Sequence, residues 1–303
     1  MIIDKYLLSV ATGYRWYNFC EFESAKSKEG NPMTDLVTID IQDGIADVRL
    51  NRPEKYNALS PEMFTAIIEA GQSLAANEDL RVVVLSGNGR GFCAGLDMGS
   101  FQGMADRPAG GGAQALLKKG DGPENHAQRP AYVWKRLPVP VIAAIHGVAY
   151  GGGLQIALGA DIRIAAADAK LSIMEIKWGL IPDMSLTQTL RDLVPMDVAK
   201  ALTFTGRVLS GDEAKQFGLV TEIAEDPYAH AMAMAREIAD KSPDAIRFAK
   251  KLYEDTWHAD EASGLALESS LQTTLIGSEN QLESIKANFE KRAPEFGPAK
   301  LKS

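Results

Sequence analysis

Apolar and polar positions alternate with a period of two from residue 36 to residue 50. Val37, Ile39 and Ile41 stand between polar neighbours, Asp43-Gly44 supplies a turn, and Ile45, Val48 and Leu50 follow. That pattern predicts a β-hairpin. Ser60, with Pro61 behind it, marks a helix start. Met63, Ile67, Ala70 and Leu74 then recur on one helical face. Residues 81–86 read as a buried strand ending at Gly87. Between 99 and 130 the periodicity breaks. Gly110-Gly111-Gly112 and Gly120-Asp121-Gly122-Pro123 predict a mobile loop carrying one short helix. Order returns with a strand at 139–145, a short helix opened by Gly151-Gly152-Gly153, and a strand at 161–166. Strand, turn and helix signals alternate to about Val220, which predicts an α/β core with much of its sheet buried.

From Pro227 onward the signals are helical. Ser242-Pro243 opens one helix, and Ser278 with Gln281 forms a capping-box pattern for another. Leu265, Leu271, Leu275 and Ile276 exceed what one thin helical layer buries, so contact with another subunit is expected ahead of packing on the core. Residues 1–32 are set apart, ending in Gly30-Asn31-Pro32 before Met33. Either Met33 is the natural start or these residues form a loose tail. The chain therefore divides into a tail at 1–35 outside the fold, a core at 36–230 and a helical region at 231–303.

Composition narrows the classes. The chain has 303 residues, 46% hydrophobic and 24% charged, enough for a full core without staples. A net charge of −8 argues against a nucleic-acid surface. Two cysteines, Cys20 and Cys93, do not make a disulfide framework, so a reducing compartment and a cytoplasmic location are expected. No apolar run approaches the ~18–20 residues of a membrane span. His126, His230 and His258 are scattered and predict no metal site.

Three glycine-bearing segments hold the candidate chemistry: residues 91–97, residues 145–153 and residues 174–183. Glycine clusters serve tight turns and close packing. They also let a ligand reach backbone N–H groups, and two such groups aimed at one point stabilise an oxyanion. Neither a P-loop nor a Rossmann spacing is present.

Asn51-Arg52-Pro53-Glu54-Lys55-Tyr56-Asn57-Ala58-Leu59 resembles the N-R-P-x-x-x-N-A-L segment of the enoyl-CoA hydratase/isomerase (crotonase) family. Gly91-Phe92-Cys93-Ala94-Gly95-Leu96-Asp97 resembles its G-F-C-A-G-x-D loop. The stretch Pro140-Val141-Ile142-Ala143-Ala144-Ile145-His146-Gly147 and the triple glycine resemble its second oxyanion segment. Thr205-Gly206-Arg207, Ala214 and Gly218-Leu219-Val220 resemble its later elements, so the likeness runs from about residue 36 to 296.

The resemblance implies an α/β crotonase-type superhelix of β-β-α repeats, followed by a C-terminal helical trimerisation region. It implies a homotrimer or a dimer of trimers acting on an acyl-CoA thioester. Coenzyme A enters as part of the substrate, with no metal or redox cofactor. The family's two oxyanion N–H groups fall on Leu96 and Gly152. Its coenzyme A channel falls on Lys55, Ala58, Ala94, Asp97 and Met98. The pair Lys291-Arg292 matches a position that can meet a CoA phosphate, with a surface charge pair that only solubilises the helix the other reading.

The acid/base positions depart from the hydratase pattern, which has two glutamates. The second is Glu175, but the first is Gln155, which cannot exchange a proton at neutral pH. Asp183, eight residues past Glu175, resembles the second acid of the family's dienoyl-CoA isomerases. Two carboxyls can move a proton between two carbons, and neighbouring carboxyls raise each other's pKa. Asp183 is otherwise a helix N-cap ahead of Leu186–Leu190. Double-bond isomerisation is therefore expected ahead of hydration, with Gln155 placing water in the latter, and a non-catalytic CoA-binding scaffold stands third. Ser185 and Leu186 replace the family's usual glycines and should reshape the acyl pocket. His146 reads as structural, Cys93 as packing, and Trp134 and Trp178 as core or pocket wall.

Overall fold

The computed structural model describes residues 36–106, 119 and 122–300. The readings of the 1–35 tail, of Cys20 and of most of the glycine-rich stretch after Asp106 lie outside these residues.

Strands β1 (Val37–Gln42) and β2 (Ile45–Leu50) form the hairpin, with Val37 opposite Leu50 and Gln42 opposite Ile45. Asp43 and Gly44 take φ of 52° and 76°, the left-handed backbone that a two-residue hairpin turn needs. The alternating apolar positions are only partly covered. Ile39 and Ile41 are 37% and 43% exposed, because β1 is the outermost strand and has one neighbour.

Seven further strands follow: β3 (Val82–Gly87), β4 (Val141–Ile145), β5 (Val148–Tyr150), β6 (Ile162–Ala165), β7 (Lys170–Ser172), β8 (Leu209–Ser210) and β9 (Glu222–Ile223). The main sheet runs β1-β2-β3-β4-β6-β9, parallel except for the first pair, and the smaller sheet runs β5-β7-β8. Alternate side chains of the main sheet enter two cores, as a period of two requires. Val83, Leu85, Ala143 and Ile145 meet Met63, Ile67 and Leu74 of helix α1 (Pro61–Ala75). Val82, Val84, Ile142, Ala144 and Ile164 meet Ala231, Ala235 and Ala239 of the Pro227–Ala239 helix. Both faces are thus covered, which is why β3 and β4 read as unbroken apolar runs. The boundary drawn at residue 230 falls inside that alanine-faced helix, which belongs with the sheet.

Ser60 caps α1 by accepting from Met63 N, with Pro61 in the first turn as the sequence predicts. The stretch expected as a loop opens with helix α2 (Met98–Ala105) and closes into α3 (Arg129–Lys135). Helix α4 (Gly152–Leu158) follows the triple glycine and is buried throughout. Ser278 caps its helix, but the Gln281 side chain accepts from Gly277 N at 3.0 Å, so the expected box is half formed. A complete capping box stands at Ser210 and Glu213. Beyond the core lie helices Pro243–Thr256, Glu261–Leu275 and Glu279–Glu290. The middle one buries no residue in a single chain, and Phe289 on the last is 85% exposed.

One buried side chain joins the loops that end β2 and β3. Asn57 is fully buried, with left-handed backbone at φ 55°. Its Oδ1 accepts from Arg52 N at 2.8 Å. Its Nδ2 donates to the carbonyls of Asn88, Gly91 and Phe92 at 3.0, 2.9 and 3.1 Å. A polar group left unpaired in the interior costs ~1–3 kcal/mol. Asn57→Ala should therefore lose about 3 kcal/mol or more in urea unfolding, since several partners are orphaned together. A loss under about 1 kcal/mol would show that the loops hold without this side chain.

Candidate active site

The site forms where three backbone segments are pressed together. Leu59 and Leu96 make an isolated parallel bridge. Within it Leu59 N donates to Gly95 O at 2.8 Å, and Asp97 N donates to Leu59 O at 3.0 Å. A trans peptide is planar, so its N–H points opposite to its C=O. Fixing the Gly95 carbonyl on Leu59 therefore turns the Leu96 N–H the other way. Gly95 has φ +85°, and a Cβ there would lie 2.6 Å from Tyr150 O. Glycine is what permits both the turn and the approach.

That approach brings in the second segment. Cys93 N donates to Val148 O at 2.9 Å and Tyr150 N to Cys93 O at 3.0 Å, so β5 lies against residues 92–94. The chain then turns at Gly151, with φ 50° and ψ −121°. Gly152 begins α4, and the first N–H groups of a helix have no partner within it. Among the described residues, the N–H groups of Leu96 and Gly152 have no acceptor. A Cβ on Gly95 would stand 3.6 Å from Gly152 N, so the two segments meet here.

The third segment carries the carboxylates. β5 and β7 run parallel with Tyr150 opposite Ser172. They end side by side, one as Gly151-Gly152 and the other as Met174-Glu175. A Cβ on Gly151 would lie 3.1 Å from Glu175 Oε1. Glu175 opens a short 3-10 turn, Glu175–Trp178. Its Oε1 accepts from Gln155 Nε2 at 2.6 Å, while its Oε2 is buried with no hydrogen-bond partner among the described residues. Burial pushes this carboxyl up, and the Asp183 charge adds to the rise against the opposing pull of the Gln155 amide. Gln155 is itself buried, and its Oε1 accepts from Met184 N at 2.9 Å. These two bonds fix which end of the amide faces Glu175.

Asp183 does not cap a helix. The N-cap of α5 (Leu186–Leu190) is Ser185, left-handed at φ 61°, and no side chain caps it. Asp183 stays accessible to solvent, yet the protein packed around it raises its carboxyl by desolvation. It has no ion pair among the described residues. Two carboxyls with raised pKa, beside two free N–H groups, can hold an oxyanion and move protons next to it.

The remaining expected positions are distributed as follows. Ala58 is buried, Ala94 is half-buried, and Lys55 and Met98 are exposed. The Asp97 carboxylate is already engaged: Oδ1 accepts from Gly99 N at 2.8 Å, capping α2, and Oδ2 pairs with Arg52 Nη1 at 2.6 Å. The Gly99 N–H and then Arg52 hold it below the usual carboxylate range. Arg292 forks onto Glu283 at 2.6 and 2.9 Å, an ion pair that the sequence reading of that terminus did not foresee. Cys93 is buried, donates to Asn57 O at 3.1 Å, and has its thiol pushed up to about 12 by burial, so it is inert. His146 hydrogen-bonds Gly89 O at 3.0 Å. Trp134 lies in the core, whereas Trp178 is 42% exposed and stacks on Phe101 with ring centroids 4.3 Å apart. No group of three or more His, Cys, Asp or Glu among the described residues could hold a metal. None of their helices is long and apolar enough to cross a membrane.

Sequence reasoning missed Arg52, Asn57 and the Met184 N–H as supports of the site. The first two lie in the 51–59 segment, but their partners among residues 88–97 stand more than thirty residues away, where no local signal points to them.

The enoyl-CoA hydratase/isomerase family model matches residues 40–299. Over 260 residues the chain is 36% identical to enoyl-CoA hydratase domain-containing protein 2, mitochondrial, of Mus musculus, covering 84% of each. It is 34% identical over 263 residues to (E)-benzylidenesuccinyl-CoA hydratase of Thauera aromatica, covering 86% of this chain and 98% of that one. The crystal structure of an enoyl-CoA hydratase from Bacillus anthracis matches with a TM-score of 0.77 at 31% identity, covering 86% and 98%. The chain is an acyl-CoA enzyme of the enoyl-CoA hydratase/isomerase family, with the crotonase fold.

Proposed function

We propose that the enzyme isomerises a double bond in a dienoyl-CoA, with Glu175 and Asp183 moving the proton. The observation that supports this best is the Asp183 carboxyl, raised by its surroundings and engaged in neither a cap nor an ion pair. The thioester oxygen sits between the N–H groups of Leu96 and Gly152. One carboxylate takes a proton from the saturated carbon next to the thioester carbonyl, and the electron pair moves onto the thioester oxygen. The other carboxyl returns a proton further along the chain, and the enolate collapses to the shifted double bond. Two aligned N–H donors are worth much here, since losing one such donor costs ~10²–10³ in rate. Lys55, Ala58, Ala94 and Met98 line the coenzyme A path in this reading. Asp97 contributes by holding the loop, not by a free carboxylate. No further cofactor is needed for these steps.

Hydration of a 2-enoyl-CoA is the second reading. It is favoured by relatives named as hydratases, among them methylglutaconyl-CoA hydratase of Mus musculus at 34% identity. In that case Glu175 activates the water beside Gln155. The exposed Leu265, Ile276 and Phe289, and a Glu261–Leu275 helix that buries nothing alone, support a trimer or a dimer of trimers. We expect that assembly in the cytoplasm.

Two experiments test the reading. With a 3,5-dienoyl-CoA, the conjugated 2,4-dienoyl absorbance should grow, and Asp183→Asn should lose ~10²-fold or more in rate, as expected when a proton-transfer group is removed. Consumption of crotonyl-CoA at wild-type rate by Asp183→Asn would instead establish hydration without Asp183. The second concerns stability. Burial raises the Glu175 carboxyl in the folded chain, so the folded state binds its proton more readily than the unfolded state. Stability is then lost as pH rises from the unfolded value of ~4.3 through the raised folded value. Glu175→Gln removes that loss, and should melt higher than wild type at pH 8 with the gain shrinking toward pH 4. A melting difference independent of pH would contradict a desolvated carboxylate.

A further inference from the structure

We propose that Arg52 is a positioning residue for the Leu96 N–H, aiming it at the thioester oxygen through its ion pair with Asp97. The inference rests on the reading of Leu96 and Gly152 as the oxyanion donors.

The direction of the Leu96 N–H is set by its two flanking peptides, both of which are bonded to Leu59. Whatever fixes Leu59 against residues 95–97 therefore fixes the donor. Arg52 does this from one side. Its Nη1 donates to Ala58 O at 3.2 Å, next to Leu59, and to Asp97 Oδ2 at 2.6 Å, next to Leu96. One guanidinium nitrogen thus spans both strands of the bridge. Arg52 is in turn held by its own backbone. Its N donates to Asn57 Oδ1 at 2.8 Å, and its carbonyl accepts from Asn57 N at 3.0 Å.

The pair is partly shielded from water, with side-chain exposures of 21% and 19%. An exposed pair would be screened and of little consequence. Asp97 adds a second connection, because its other oxygen caps α2 at Gly99 N. Phe101 of that helix stacks on Trp178, three residues after Glu175. The Arg52–Asp97 pair thereby links the donor arm of the site to the carboxylate arm. A lysine would keep the charge, but a single ammonium lacks the planar fork of the guanidinium.

The test uses the full chain and an aryl-conjugated enoyl-CoA, whose absorbance moves to longer wavelength when its carbonyl accepts strong hydrogen bonds. Wild type should shift the bound probe. Arg52→Met should bind it with much of that shift lost. Its kcat should fall ~10–10²-fold, short of the ~10²–10³ loss of a whole donor, with KM little changed, and Arg52→Lys should restore part of both. Asp97→Asn keeps an oxygen for Gly99 N–H and removes the charge, so it carries the same readout if Arg52→Met fails to fold. A wild-type shift in Arg52→Met, or in Asp97→Asn where that variant is the one read, overturns the positioning role. A bound probe with no shift in wild type overturns the oxyanion reading itself, and the Arg52 proposal with it.

Discussion

The Gln155 side chain is engaged at both ends, and the site is organised around that fact. Its Nε2 donates to Glu175, and its Oε1 accepts from Met184 N. A buried amide with both ends satisfied is rigid, whereas one left unpaired would be costly. Gln155 therefore ties α4, the 3-10 turn of Glu175 and the strap that carries Asp183 into one unit. A glutamate at this position could not donate to Glu175 unless one of the pair were protonated. The glutamine removes one proton-exchanging group and in return gives Glu175 a fixed neutral donor. Glu175 is left with one oxygen bonded and one oxygen buried without a partner among the described residues.

The other half of the site is backbone. Two N–H groups have no acceptor among the described residues because the peptides beside them are held elsewhere: Gly95 O by Leu59, and Gly151 N by Ser172 O at 2.9 Å. Glycine at 95 and 151 allows the positive φ these turns need. The parallel sheet brings the segments together, since β5 and β7 end in register and release Gly151 and Glu175 side by side. The core beneath is close-packed, with leucine, β-branched and alanine side chains, and transmits little slack to the loops above.

Much of this was legible in the sequence, and the reasons are local. The hairpin, α1 and its Ser60 cap follow from periodicity and neighbouring residue types. The positions of Leu96, Gly152 and Glu175 came from the resemblance to the enoyl-CoA hydratase/isomerase family, which ordered glycine segments carry. Asp97 was harder. As a lone acid in a glycine loop it looks available, but its partner Arg52 lies 45 residues upstream. The same holds for Asn57, which bonds carbonyls more than thirty residues away. No period or spacing encodes such a bond. The exposure of Ile39 and Ile41 was not legible, because alternation specifies a face, not whether that face is covered. The Ser210-Glu213 box was legible from its spacing and was passed over.

The central claim is that Glu175 exchanges a proton with carbon beside a thioester held by Leu96 and Gly152. The most direct measurement is deuterium incorporation from D2O into a saturated acyl-CoA, followed by mass spectrometry. Wild type should label the carbon next to the thioester carbonyl. Glu175→Gln should abolish labelling while still binding the acyl-CoA, and Asp183→Asn should keep it. Labelling by Glu175→Gln at the wild-type rate would contradict the account.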